Sequence, residues 1–282
     1  MAKVEVIGTP NAMTAWSDRI RASGHRLALV PTMGALHAGH VSLLSAARSQ
    51  ADAVALSIFV NPTQFGPKED LARYPRDLDG DLAKAGSVDT DVAFVPDAKD
   101  MYPSGYQSYV DVREVSQGLC GGSRPGHFTG VATVVCKLLN IVRPHVALFG
   151  EKDFQQLAVI RRMVADLNLP VKIVGQPTVR EPDGLAMSSR NAYLSVPDRA
   201  RATAIYQGLT AARHLLAQGE RTAAALLAEA RAVIEKGIDR IDYLEMRDAE
   251  SLRPVEEIAA PAVVLVAGYL GSTRLIDNLR LG

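Results

Sequence analysis

The chain has 282 residues, 48% of them hydrophobic and 22% charged, and its 31 Lys and Arg balance 31 Asp and Glu. That length allows a sizeable core in one large or two moderate domains. A net charge of zero gives no basic footprint for nucleic acid and no attraction to anionic membranes, and no apolar run reaches the roughly 20 residues of a transmembrane helix.

The opening residues, Met1 to Val6, lack the long apolar core of a signal peptide. Val4 to Ile7 is expected as a strand or an arm. Thr14 to Ser23 reads as a helix with Thr14 as cap and Gly24 as stop. The apolar run Leu27 to Val30 then precedes Pro31-Thr32-Met33-Gly34-Ala35-Leu36-His37-Ala38-Gly39-His40 and the helical pattern Val41 to Ala47. The order is strand, loop, helix, and ligands of open α/β sheets bind at such carboxyl ends. Gly34 and Gly39 let the backbone bend and approach a ligand. The helix start suits phosphate, and the spacing of His37 and His40 turns both imidazoles to one side.

Ala53 to Val60 is almost continuously apolar, as in a strand buried on both faces of a parallel sheet. It ends in Asn61-Pro62-Thr63-Gln64-Phe65-Gly66, where Asn61 and Gln64 offer donors and acceptors without charge. The charged stretch Asp70 to Leu82 reads, taken bare, as a solvated helix face. Val92 to Pro96 is a third strand and Ser108 to Val112 a possible fourth. Gly121 to Phe128 is loop-like, and Thr129 to Val142 has a helical apolar stripe. Val146 to Phe149 is another buried strand, delivering Gly150-Glu151-Lys152-Asp153-Phe154-Gln155-Gln156. Gly150 permits backbone contact, Lys152 suits a phosphate, and Asp153 suits ribose hydroxyls. After the strand Val171 to Val174, the turn-rich stretch Pro177 to Gly184 leads to Met187-Ser188-Ser189-Arg190, where two hydroxyls and a guanidinium can surround a pyrophosphate.

From Pro197 the chain changes to Ala-rich helices, Asp198 to Ala217 and Thr222 to Lys236. Strands follow at Ile241 to Arg247, Val263 to Ala267 and Arg274 to Leu279. Cys120 and Cys136 stand outside any C-x-x-C, which fits packing roles in a reducing cytoplasm. These patterns predict an α/β fold: a Rossmann-like doubly wound parallel sheet over residues 1–178 and a smaller C-terminal α+β domain over 179–282 that closes over the site.

The wording P-T-M-G-A-L-H-x-G-H resembles the pantoate–β-alanine ligase (pantothenate synthetase) family of the nucleotidyltransferase superfamily. So do N-P-x-Q-F at Asn61, R-P-x-H-F at Arg124 and His127, G-E-K-D-x-Q-Q at Gly150, and Met187 to Arg190, which resembles the superfamily's K-M-S-K-S loop. The resemblance runs to Asn278. It implies ATP contacts from Met33 to His40, from Gly150 to Asp153, from Val179 and from Met187 to Arg190. It implies pantoate and β-alanine contacts from Gln64, Gln156 and Asn61, and places Asp81 near Mg²⁺. Arg124 and His127 receive no catalytic role. The implied reaction is ATP + (R)-pantoate + β-alanine → pantothenate + AMP + diphosphate through pantoyl adenylate, in a cytoplasmic homodimer. His37, His40, Lys152, Ser188 and Arg190 are the catalytic candidates, with His40 able to donate a hydrogen bond or a proton. Other adenylate-forming or nucleotidyl-transferring enzymes of the superfamily share the histidine loop but need a different acceptor pocket. A non-catalytic nucleotide-binding module is a third reading.

Overall fold

The computed structural model describes residues 4–67 and 69–282, so Met1 to Lys3 of the N-terminal reading lie outside it. Contacts divide the chain into two compact units. The first comprises residues up to Ser116, Arg124–Glu151 and Val159–Pro177; the second comprises Gln117–Ser123, Lys152–Ala158 and Thr178–Gly282.

In chain order the elements are β1 (Glu5–Ile7), α1 (Pro10–Ala22), β2 (Leu27–Thr32), α2 (Ala38–Arg48), β3 (Ala53–Ile58), α3 (Leu78–Gly86), β4 (Val92–Phe94), α4 (Ala98–Met101), α5 (Leu119–Ser123), α6 (His127–Val142), β5 (Val146–Gly150), α7 (Phe154–Asp166) and β6 (Lys172–Gln176). They continue with α8 (Val196–Arg201), α9 (Ala204–Ala217), α10 (Ala223–Ile234), β7 (Arg240–Asp248), β8 (Ala262–Leu270) and β9 (Thr273–Leu281).

The first unit is built on a sheet of order β1-β4-β3-β2-β5-β6 with every pairing parallel. Its central strands read Leu27-Ala28-Leu29-Val30 and Ala53-Val54-Ala55-Leu56, all buried, because helices on both faces leave no polar side for alternation. The direction of winding reverses at β2, whose neighbours are β3 on one side and β5 on the other. The ladder from β2 to β3 runs from Leu27 through Thr32, whereas that from β2 to β5 holds only Ala28 with Val146 and Leu29 with Ala147. The two strands therefore part toward their carboxyl ends, which opens a crevice at the switch point where ligands bind in such sheets.

Sequence reading misjudged several segments. Gly121 to Ser123, read as loop, belong to α5. Of the stretch Asp70 to Leu82, read as a solvated helix face, only the part from Leu78 is helical, with Asp81 buried because it accepts from two loop amides. The first helix starts at Pro10, not Thr14, because Thr9 supplies the cap, its hydroxyl accepting from the Ala12 amide, and proline suits the first helical position. Ser108 to Val112 forms no strand; the Val110 amide donates to the Thr133 hydroxyl at 2.9 Å instead of to a ladder. The helix expected from Thr129 begins two residues earlier, after Gly126, whose φ of 81° is left-handed.

The second unit carries an antiparallel sheet of order β7-β8-β9. Its core joins Ile205 and Leu209 of α9, Leu226 and Ile234 of α10, and Val264 and Val266 of β8. The helix expected from Asp198 to Ala217 is two. Between α8 and α9 the chain tightens to a three-residue bond, Ile205 amide to Ala202 carbonyl at 3.2 Å.

Candidate active site

The predicted site residues divide between the units, and each set is built within its own. In the first unit, parallel strands bring the loops after β2, β3 and β5 to one sheet edge. The loop after β2 turns at Gly34, whose φ is +83°; a Cβ there would lie 2.9 Å from Asp81 Oδ2 and 3.1 Å from Ile58 Cγ2. Only glycine suits that conformation and that space. Asp81 on α3 is 1% exposed and fastens the turn. Its Oδ2 accepts from the Ala35 amide at 2.9 Å and its Oδ1 from the Leu36 amide at 2.6 Å. Burial raises the Asp81 carboxyl above its ordinary value, against the lowering effect of those two amides.

The two histidines cap α2 together. His37 Nδ1 accepts from the Gly39 amide at 3.1 Å, and His40 Nδ1 accepts from the His37 amide at 3.3 Å. A backbone N–H only donates, so both Nδ1 atoms are acceptors and each neutral ring carries its proton on Nε2. The rings lie against each other, centroids 4.1 Å apart. The cap thus holds both rings at a helix N-terminus, with each Nδ1 turned to the backbone, and a helix N-terminus suits an anion.

The loop after β3 is bonded throughout. Asn61 is 1% exposed. Its Nδ2 donates to the Gly130 carbonyl and to Gln64 Oε1, each at 3.1 Å, and its Oδ1 accepts from the hydroxyls of Tyr102 at 2.8 Å and Thr63 at 2.9 Å. Both ends of the Asn61 amide are thus bonded inside the fold, one of them to Gln64. Gln64 Nε2 donates to Met33 Sδ at 3.2 Å. Burial pushes the Tyr102 hydroxyl up to about 12. Arg124 pairs bidentately with Glu69, at 2.6 and 2.7 Å, and its NH1 lies 3.0 Å from His127 Nε2. Gly150 ends β5 at the same edge, and Glu151 opens the 3₁₀ turn that follows.

The second unit holds Lys152, Asp153, Gln156, Val179 and Met187 to Arg190. The Lys152 carbonyl accepts from Asn278 Nδ2 at 2.9 Å. Residues 179–187 form a small hairpin, with Arg180 bridged to Ala186 and the Met187 amide donating to the Val179 carbonyl at 3.0 Å. Its turn holds Gly184, where a Cβ would fall 2.3 Å from the Tyr206 ring. Sequence reading missed what anchors it: Arg180 forks onto Asp277 of β9 at 2.6 and 2.9 Å and stacks over Tyr206, 3.9 Å from the ring centre. Nothing in the wording around Asp277 signals a partner 97 residues upstream. Ser188 then caps a short 3₁₀ turn, its hydroxyl accepting from the Arg190 amide.

Known proteins match this chain over nearly its whole length. The family model for pantoate-beta-alanine ligase matches residues 5–280. A pantothenate synthetase of Myxococcus xanthus is 59% identical over 280 residues, covering 98% of this chain and 96% of the relative. One from Geobacter sulfurreducens is 55% identical, covering 99% of each. Among solved structures, pantothenate synthetase from Thermus thermophilus has a TM-score of 0.93 at 44% identity, covering 98% of this chain and 99% of that one. Pantoate-beta-alanine ligase from Francisella tularensis, complexed with beta-gamma ATP and beta-alanine, has a TM-score of 0.80 at 34% identity, covering 98% and 97%. Given these matches, the chain belongs to the pantoate–β-alanine ligase family.

Proposed function

We propose that this chain condenses (R)-pantoate with β-alanine at the expense of ATP, giving pantothenate, AMP and diphosphate. The observation that carries the reading is the pair of histidines capping α2, whose ring protons stand on Nε2 beside the parting of β2 and β5.

A carboxylate does not acylate an amine unaided, because its oxygen is a poor leaving group. In the proposed first step a pantoate carboxylate oxygen attacks the α-phosphorus of ATP, the bond to the β-phosphate bridge breaks, and diphosphate leaves. His37 and His40 serve as Nε2–H donors to the phosphates, while their Nδ1 atoms hold the helix cap. Lys152, Ser188 and Arg190 neutralise charge as it gathers on the departing diphosphate. Met33 to Leu36, Ala38, Gly39, Gly150, Glu151, Asp153, Val179, Met187 and Ser189 line the nucleotide, and Gln64 and Gln156 bind pantoate. In the second step the free amine of β-alanine attacks the acyl carbon and AMP leaves.

Mg²⁺ is assigned to the ATP phosphates rather than to a protein cage. Both oxygens of Asp81 serve backbone amides, and the described residues hold no group of three or more His, Cys, Asp or Glu that could bind a metal. We assign nucleotide and pantoate binding mainly to residues 1–178 and a lid role to 179–282. A cytoplasmic homodimer completes the proposal. No helix among the described residues is long and apolar enough to cross a membrane.

Product analysis tests the reaction. With Mg²⁺, ATP and pantoate the protein should form bound adenylate and release diphosphate, and AMP should follow pantothenate when β-alanine is added. Release of ADP and phosphate would refute it. Light scattering giving the mass of one 30.2 kDa chain would refute the dimer.

A further inference from the structure

The hydrogen-bond inventory around Gln64 fixes which end of its amide is presented. The Gly130 carbonyl only accepts, so the Asn61 atom 3.1 Å from it is Nδ2. The other end of Asn61 is then Oδ1, where the Tyr102 and Thr63 hydroxyls converge. The second Nδ2 proton points at Gln64, which must answer with Oε1. Gln64 Nε2 is left facing Met33 Sδ, a weak acceptor that an oxygen replaces with gain.

The main chain of Gln64 is held as firmly. His127 Nδ1 lies 2.9 Å from the Gln64 carbonyl, and Arg124 NH2 donates to the same carbonyl at 3.3 Å. A guanidinium only donates, so His127 Nε2 is the acceptor from Arg124 NH1, and Nδ1–H is the donor to Gln64. Gly130 permits this close approach of α6; a Cβ there would fall 2.4 Å from the Thr63 carbonyl oxygen.

We propose that Asn61, Tyr102 and His127 are positioning residues that present Gln64 to pantoate as an amide donor, toward an acceptor oxygen of the substrate. The inference rests on the assignment of Gln64 to the pantoate site. It also limits the substrate: the group facing Gln64 must accept a hydrogen bond, as a carboxylate or hydroxyl oxygen does and an ammonium does not.

A set of variants tests it through the Michaelis constants. Gln64→Ala should raise the pantoate KM on the order of tenfold or more, with the ATP KM within about twofold. Gln64→Glu should be worse than Gln64→Ala, because its carboxylate still answers Asn61 but turns negative charge on an acceptor. Tyr102→Phe and His127→Gln should each raise the pantoate KM by about three- to tenfold in the otherwise unaltered enzyme, and add nothing in the Gln64→Ala background. His127→Asn keeps a donor near the Nδ1 position and should restore most of what His127→Gln loses. If Tyr102→Phe and His127→Gln act additively with Gln64→Ala, or if His127→Asn and His127→Gln are equally impaired, the positioning role is overturned. If Gln64→Glu matches Gln64→Ala, the donor assignment is overturned. If Gln64→Ala itself leaves the pantoate KM unchanged, the pantoate site is misassigned, and the positioning role falls with it.

Discussion

Replacing Asp81 with asparagine separates a loop-fastening carboxylate from a metal-binding one. Asp81 is 1% exposed, and its two oxygens accept from Ala35 and Leu36 at 2.9 and 2.6 Å. Asparagine keeps one acceptor oxygen and turns an NH₂ toward the other backbone N–H. Losing a bond to a charged acceptor costs about 1.5–3 kcal/mol. Against this, burial already raises the Asp81 carboxyl despite its two amides, so removing the charge returns part of the desolvation cost. A net loss of about 1–2 kcal/mol follows, which lowers the melting temperature by roughly 2–8 °C at about 2–4 °C per kcal/mol. Asp81→Ala leaves two buried amides unanswered, at about 1–3 kcal/mol each, and should be worse. Because the loop carries His37, the ATP KM should rise while the Mg²⁺ concentration for half-maximal rate stays where it was. Calorimetry and a Mg²⁺ titration at saturating ATP read both. An unchanged melting temperature together with a raised Mg²⁺ requirement would show that the carboxylate serves the metal.

Other substitutions test other parts of the proposal. Lys152→Ala and Arg190→Ala should slow adenylate formation by a factor on the order of 10²–10³, with smaller effects on ATP affinity and on attack of β-alanine on preformed adenylate. Equal slowing of both half-reactions in single-turnover experiments would refute their role in charge stabilisation. Gln156→Ala should weaken pantoate by roughly 1.5–3 kcal/mol with little change in ATP; equal loss of both in binding calorimetry would remove it from the pantoate pocket. Burial alone would raise the Glu69 carboxyl, but its pairing with Arg124 prevails and holds it below 4.5. A lowered carboxyl contributes stability that is present above its unfolded value and lost as pH falls through the folded one. The melting-temperature gap between the unaltered protein and Glu69→Gln should therefore close as pH drops below 4.5, and a gap that stays constant through that range would refute the pairing.

The sequence alone determined the class of fold and the chemistry of the loops. Short continuous apolar runs such as Leu27 to Val30, bounded by turn residues, fit strands covered on both faces, and the glycines and histidines that follow carry their requirements locally. The wording of five loops then sufficed to point to the family. Periodicity left open where Thr9 and Pro10 would start a helix and whether Ser108 to Val112 would find a ladder, because capping and strand pairing depend on partners elsewhere in the chain. Tertiary structure supplied the partners of the polar residues. No pattern in the sequence says that Asn61 bonds Gln64 and Gly130, or that Asp81 accepts from Ala35 and Leu36. Arg180 passed as part of a turn until Asp277 met it from 97 residues away. A side chain's function is set by the donors and acceptors around it, and those are assembled by folding rather than by nearness in sequence.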